Sequence, residues 1–404
     1  NKMAFIPTGA PKSQNLAAQP SPPPVAANHK PLPPPALTTS NHECFSNPRV
    51  LPAGKLIVGY AGCGSEAAKQ LAITKAVQGV NVLVWFAVSA VGLAGRPYIT
   101  SGPNHTCVAE VARELRELSL PTAHMITIGG WDASHPNTIW TGAEWSEAWC
   151  KWNEEVAVPE LGFHGYDGVD WDLEGNDNTS SPWNSFTPAC VALVGEMSQQ
   201  LKRKGFLVSL VPTQSYIDVQ LSGFDRSLLH NYPEFHKEFT YHGRNAYAIW
   251  LSKYGYAAPG LPTFDFVDIQ LYETYSRTAQ AIAAGVDPAR YLVKLVRALQ
   301  AGWSVRFSSD PEMKWTTRNV SVPANQLVLG FSHGSFRLPH NKSVFVDTAS
   351  IAQAWLELTE REQPRGLMFW NIALEGKEAF LPNGSVVNVS FASRFNEILH
   401  VRSN

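Results

Sequence analysis

Residues 165–175 read Gly165-Tyr166-Asp167-Gly168-Val169-Asp170-Trp171-Asp172-Leu173-Glu174-Gly175. Successive side chains of a β-strand point to opposite faces, so Val169, Trp171 and Leu173 share one face and Asp170, Asp172 and Glu174 the other. Alternate residues stand about 6.6–7 Å apart along the strand. The apolar face suits packing under a layer of helices, which turns the three acids inward. Three like charges on a buried face are destabilising unless protons are shared or partners supplied, so at least one acid is expected to titrate above its ordinary value. A carboxyl kept protonated near neutrality is what general-acid catalysis requires. A calcium loop would need a Glu at the twelfth position from Asp170, where Ser181 stands, and Trp171 and Leu173 are poor loop residues. A solvated acidic loop has no reason to alternate so regularly.

Outward from this segment, short β-branched and aromatic runs recur with helix-like stretches between them. The predicted strands are 55–60, 80–87, 123–129, 165–172, 206–212, 265–272, 326–331 and 365–370. Helices are predicted at 66–78, 108–118, 187–204 and 349–358, among others. Eight strands alternating with helices predict an α/β chain, and the simplest closed form is a (β/α)8 TIM barrel, which leaves no sheet edge to protect. An open doubly wound sheet would alternate too; the count of eight favours the barrel. Glu174 would then lie at the C-terminal rim, where barrel active sites open.

Ahead of this domain, assigned to residues 44–404, residues 1–43 hold ten of the 29 prolines and few large apolar side chains. Such a segment cannot bury enough surface to offset its ordering entropy, which predicts a disordered arm or linker. Charged residues are 16% of the 404, and the net charge is −2, so no basic field exists to hold a nucleic-acid backbone. The apolar run Val82–Gly95 is too short to span a bilayer. Five cysteines without a CxxC pair point to no zinc site. Together with Asn-X-Ser/Thr sequons at Asn104, Asn178, Asn319, Asn341, Asn383 and Asn388, they predict a secreted, extracellular chain with surface glycans. The chain begins at Asn1, so any signal peptide would precede it. Adjacency of strand-end loops suggests Cys63–Cys107 and Cys150–Cys190 bridges, with Cys44 left as a thiol.

The motif Asp167-Gly168-Val169-Asp170-Trp171-Asp172-Leu173-Glu174 resembles the DxxDxDxE signature of the family-18 glycoside hydrolases, the chitinase family. Thr127-Ile128-Gly129-Gly130 resembles that family's SxGG at strand three, Gln270-Leu271-Tyr272-Glu273 its strand-six run, and Met368-Phe369-Trp370 its strand-eight segment. The resemblance covers essentially all of residues 50–404. It implies a retaining, substrate-assisted hydrolysis of β-1,4-linked N-acetylglucosamine (GlcNAc) polymers. Glu174 would be the acid and then the base, Asp172 would orient the substrate's acetamide, Asp170 would share a proton with Asp172, and Tyr272 would donate to the acetamide oxygen. Trp370 would floor the −1 sugar site, with Tyr60, Gln270, Gly130 and Trp131 as further substrate-binding residues. No cofactor and no metal are implied, and the partner is a chitin-type substrate bound by a monomer.

Two residues depart from the family pattern: Thr127 stands where Ser is usual, and Glu273 where Asn or Asp is usual. About 34 residues between the last two strands leave no room for the α+β insertion of deep-cleft chitinases, so a shallow groove is expected. Two other activities fit the same barrel: an endo-β-N-acetylglucosaminidase acting on N-glycan cores, and a non-enzymatic chitin-binding lectin. Rival motifs fare worse. Gly62-Cys63-Gly64-Ser65-Glu66-Ala67 mimics a dinucleotide fingerprint but lacks the acid after the next strand. Gly330-Phe331-Ser332-His333-Gly334 mimics a nucleophile elbow, yet Pro339 interrupts the helix that should follow. His230, His236 and His242 are six apart, which is not the spacing of a zinc helix. Trp140, Trp145, Trp149 and Trp152 recur at helical spacing and read as packing residues.

Overall fold

The structure, a computed structural model, describes residues 49–176, 178–228, 243–272, 276–332, 337–338, 342–343, 346–376, 378–380, 386–388 and 390–400. The 1–43 segment, Cys44, Glu273, His230, His236, His242, His333 and Gly334 lie outside them. All eight predicted strands form: β1 (Leu56–Ala61), β2 (Val82–Val88), β3 (Ala123–Gly130), β4 (Gly168–Leu173), β5 (Leu207–Leu210), β6 (Phe266–Gln270), β7 (Leu327–Ser332) and β8 (Gly366–Trp370). Each pairs in parallel with its neighbours in sequence, and β8 closes on β1 through Leu56↔Gly366 and Val58↔Met368. The sheet is a closed barrel.

Period-two alternation sorts the strand side chains into two apolar cores. Leu56, Val58, Tyr60, Val82, Val84, Met125 and Met368 meet inside the barrel, while Ile57, Leu83, Trp85, Val169, Trp171 and Leu173 meet the helices outside. Trp171 also donates from Nε1 to Ser198 Oγ at 2.9 Å. The helices are α1 (Glu66–Val77), α2 (His105–Glu117), α3 (Gly142–Glu155), α4 (Pro188–Arg203), α5 (Ala248–Lys253), α6 (Arg277–Ala283), α7 (Pro288–Ala301), α8 (Thr348–Glu357) and α9 (Phe391–His400). Their starts are local: the side chains of Ser65, Asn104, Thr141, Thr187, Asp287 and Asp347 each accept a bond from a first-turn amide. Between β7 and β8 there are only α8 and two two-residue strands among the described residues, with no α+β insertion. No described helix is long and apolar enough to cross a membrane.

Some boundaries differ from the sequence reading for identifiable reasons. Helix α2 starts three residues before Val108, because Asn104 Oδ1 accepts from Cys107 N at 3.1 Å. Strand β4 starts at Gly168 and not Gly165. The Asn153 side chain brackets Tyr166, accepting from its N–H at 2.7 Å and donating to its carbonyl at 3.0 Å, and this holds the entry as a turn. The tryptophans of α3 are packing residues, Trp145 and Trp149 being fully buried.

The cysteine pairing requires one correction. Cys63 and Cys107 form a disulfide with Cα atoms 5.9 Å apart, but Cys150 and Cys190 are buried thiols. Helices α3 and α4 run side by side in the same direction. An added Cβ on Gly142 would meet Leu193, Glu196 and Met197, and Cys150 Sγ lies 3.9 Å from Lys204 Nζ. Cys190 is thus about 21 Å further back along α4 at about 1.5 Å per residue, far beyond the reach of a bridge.

Candidate active site

The acid row is buried inside the barrel: Asp170 is 0% exposed, Asp172 9% and Glu174 5%. Asp170 is the deepest. Tyr60 Oη and Thr127 Oγ1 donate to its Oδ2 at 2.8 and 3.1 Å, and Ser209 Oγ donates to Oδ1 at 2.5 Å. Burial raises its pKa to about 6, against the pull of these three hydroxyls towards the anion. The methyl of Thr127 therefore does not displace the hydroxyl from the acid row.

Nearer the rim, the Asp172 and Glu174 carboxyls are hydrogen-bonded to each other. Gln270 Nε2, from the end of β6, donates to Asp172 Oδ1 at 3.1 Å, Glu174 Oε1 at 3.0 Å and the Val211 carbonyl at 2.8 Å. One amide thereby fixes both acids. Burial raises the Glu174 pKa, opposed by the bonds from Asp172 and Gln270. A buried acid that holds its proton, aimed from a strand end beside a partner carboxyl, is equipped to protonate a leaving group.

Tyr60 and Tyr272 belong to the inner-barrel cluster, and half-buried Trp370 packs against it. The Trp370 ring lies 5.7 Å from that of Tyr60 and 5.0 Å from that of Phe86. Gly129 and Gly130 end β3 at φ +114° and +112°, and a Cβ on Gly129 would lie 2.3 Å from the Asp172 carbonyl oxygen. Gly129→Ala should therefore lower stability by about 3–5 kcal/mol, combining left-handed strain with overpacking against a backbone that cannot yield; urea denaturation would measure it. Trp131 follows Gly130 and is 46% exposed.

The structure adds residues that the sequence reading passed over. Asp268 on β6 is 0% exposed, and among the described residues neither of its oxygens has a hydrogen-bond partner. Its burial, and then the charge of Asp170, push its pKa well above the ordinary value. The signal was present, because Asp268, Gln270 and Tyr272 alternate just as the β4 acids do. His135, Tyr216 and Tyr247 also meet the backbone around Glu174, from segments outside the barrel strands where no period marks them. Among the described residues no group of three or more His, Cys, Asp or Glu side chains is arranged to hold a metal ion.

No family model matches the chain, and no curated protein matches it. Solved structures do. An active domain of a chitinase from Pyrococcus furiosus, determined as catalytic-site mutants, is 15% identical, with 89% of this chain and 99% of that one covered and a TM-score of 0.50. The Ostrinia furnacalis Group IV chitinase is 12% identical over 85% and 99% of the two chains, with a TM-score of 0.48. A xylanase and alpha-amylase inhibitor protein from Scadoxus multiflorus is 13% identical over 87% and 99%, with a TM-score of 0.45. The chain has a chitinase-like (β/α)8 barrel fold.

Proposed function

We propose that the protein is a secreted family-18-type chitinase that cleaves β-1,4-linked GlcNAc polymers with retention of anomeric configuration. A shared fold leaves function open, so the site must carry the reading. The observation that carries it is the buried, hydrogen-bonded pair of Asp172 and Glu174 at the barrel rim, both held by Gln270. In this reading Glu174 gives its proton to the glycosidic oxygen as the C1–O bond breaks. The substrate's own acetamide oxygen bonds to C1, forming an oxazolinium ion and releasing the sugar beyond. Water then attacks C1 and loses its proton to Glu174, the acetamide oxygen departs, and the β configuration is restored.

Asp172 orients the acetamide N–H and faces the developing positive charge, while Asp170 stands behind it. Tyr272 donates to the acetamide oxygen, and Trp370 offers its ring to the apolar face of the −1 sugar. Tyr60 acts by holding Asp170. Gly130 and Trp131 would border the neighbouring subsite. The Cys63–Cys107 disulfide supports an oxidising, extracellular setting.

The test is digestion of a GlcNAc pentamer with product anomers read by NMR before mutarotation. β-Anomeric products are expected. Saturable binding of the pentamer without cleavage would replace the enzyme with a lectin, and α-anomeric product would exclude the acetamide as nucleophile.

A further inference from the structure

Strand β4 carries Glu174 beyond the ends of both neighbouring strands. On the β5 side the last backbone rung is Val211 N–H to the Trp171 carbonyl at 3.0 Å, just past the pairing of Trp171 with Leu210. Alternate residues of a parallel strand address the same neighbour, so the N–H and C=O of Leu173 point to the side that β5 has left. The Tyr247 hydroxyl fills that place: it accepts from Leu173 N–H at 2.6 Å and donates to the Leu173 carbonyl at 2.9 Å.

On the β3 side pairing ends at Gly130 with Leu173. There the Glu174 carbonyl accepts from His135 Nε2, at 2.9 Å, with the ring proton on that nitrogen. Beyond them the Tyr216 hydroxyl takes a bond from the Gly175 backbone. Three buried rings thus continue, by side chain, ladders that the backbone has stopped making.

Each ring is itself fixed. Tyr247 stacks on Tyr216 with centroids 5.5 Å apart and meets Trp250 edge-on at 4.5 Å. His135 lies 4.9 Å from Phe186 and 5.6 Å from Trp183. Burial lowers the His135 pKa to about 4, so its ring is neutral through mildly acidic and neutral pH.

We infer that Tyr247 and His135, seconded by Tyr216, are positioning residues that aim Glu174 by holding the peptide units on either side of it. This rests on the proposed role of Glu174 as the acid. Without the clamp, the Leu173 backbone has no partner on the β5 side, and Glu174 can swing from its buried place beside Asp172 and Gln270 towards solvent. A misplacement of that order costs a reaction far more than it costs binding.

The test compares Tyr247→Phe with Tyr166→Phe. Tyr166 is an equally buried tyrosine whose hydroxyl bonds His105 Nδ1 at 2.9 Å, outside the acid row. Both variants lose one buried hydroxyl. Tyr247→Phe is expected to lower kcat by about tenfold to a hundredfold, with KM little changed. By NMR of side-chain-labelled glutamate, the Glu174 titration should move back towards the ordinary carboxyl range. Tyr166→Phe should lose stability yet keep both properties, and His135→Gln, which retains a donor, should outperform His135→Phe. Tyr247→Phe behaving like Tyr166→Phe in kcat and in the Glu174 titration would overturn the inference. A wild type that cleaves nothing would remove the enzymatic reading, and the Glu174 titration alone would then decide whether the clamp aims the acid.

Discussion

Glu174→Gln should yield a folded protein that binds GlcNAc oligomers and scarcely cleaves them. Its site already favours an uncharged side chain, since burial raises the glutamate pKa. The amide oxygen of a glutamine can still accept from Gln270 Nε2, which lies 3.0 Å from the present Oε1. What is lost is the proton for the leaving group and the base for water. General acid–base groups contribute about 10²–10⁴ in rate, and kcat should fall by that much with KM within a few-fold. The measurement is steady-state release of reducing ends, with binding of the intact pentamer followed by calorimetry. A variant that keeps a third of the wild-type kcat would show that some other group protonates the substrate.

Asp268→Asn should make the protein more stable relative to wild type as pH rises. Asp268 lies where Gly330 leaves room: a Cβ on that glycine would be 3.0 Å from Asp268 Oδ1. Asp170 and Tyr60 face it, and the Met368 side chain reaches the same spot from β8. Because the folded pKa is raised above the unfolded value, the stability contributed by the neutral acid is complete below about pH 4. It is lost as pH climbs towards the folded pKa. Over that window the unfolding equilibrium constant of the wild type grows by about tenfold per pH unit from this group alone. Asparagine does not titrate.

Two buried histidines act in the opposite direction. His124 and His135 have pKa values lowered to about 4 by burial, so they favour unfolding as pH falls from about 6.5, where the unfolded residues take up protons. They are common to both proteins and cancel in the difference. Paired urea titrations at pH 4, 5.5 and 7 would check this. A stability difference that is flat with pH would mean that Asp268 titrates alike in both states.

Much of this molecule was legible from local pattern. Alternation within 165–175 placed Asp170, Asp172 and Glu174 on one face, and the barrel turns that face inward. Strand identity followed from β-branched and aromatic runs of the right length. Where boundaries slipped, as at Gly165, a side chain distant in sequence had bonded the backbone. The first arm of the rim hairpin, Ala90–Leu93, lies within the apolar run Val82–Gly95, where no period separates it from β2, and it pairs with Arg96–Ile99 just beyond that run.

The sequence by itself determined which residues face the barrel interior, because a strand's two faces depend only on counting by two. The tertiary structure alone decided which groups meet. Asp268 confronts Asp170 across an intervening strand, Gln270 bridges two acids on β4, and Tyr247 and His135 complete ladders that β5 and β3 abandon. The same holds for the thiols of Cys150 and Cys190, placed at different heights on neighbouring helices. Each of these depends on where strands end and how helices align, quantities set by closure of the whole sheet and not by any local period.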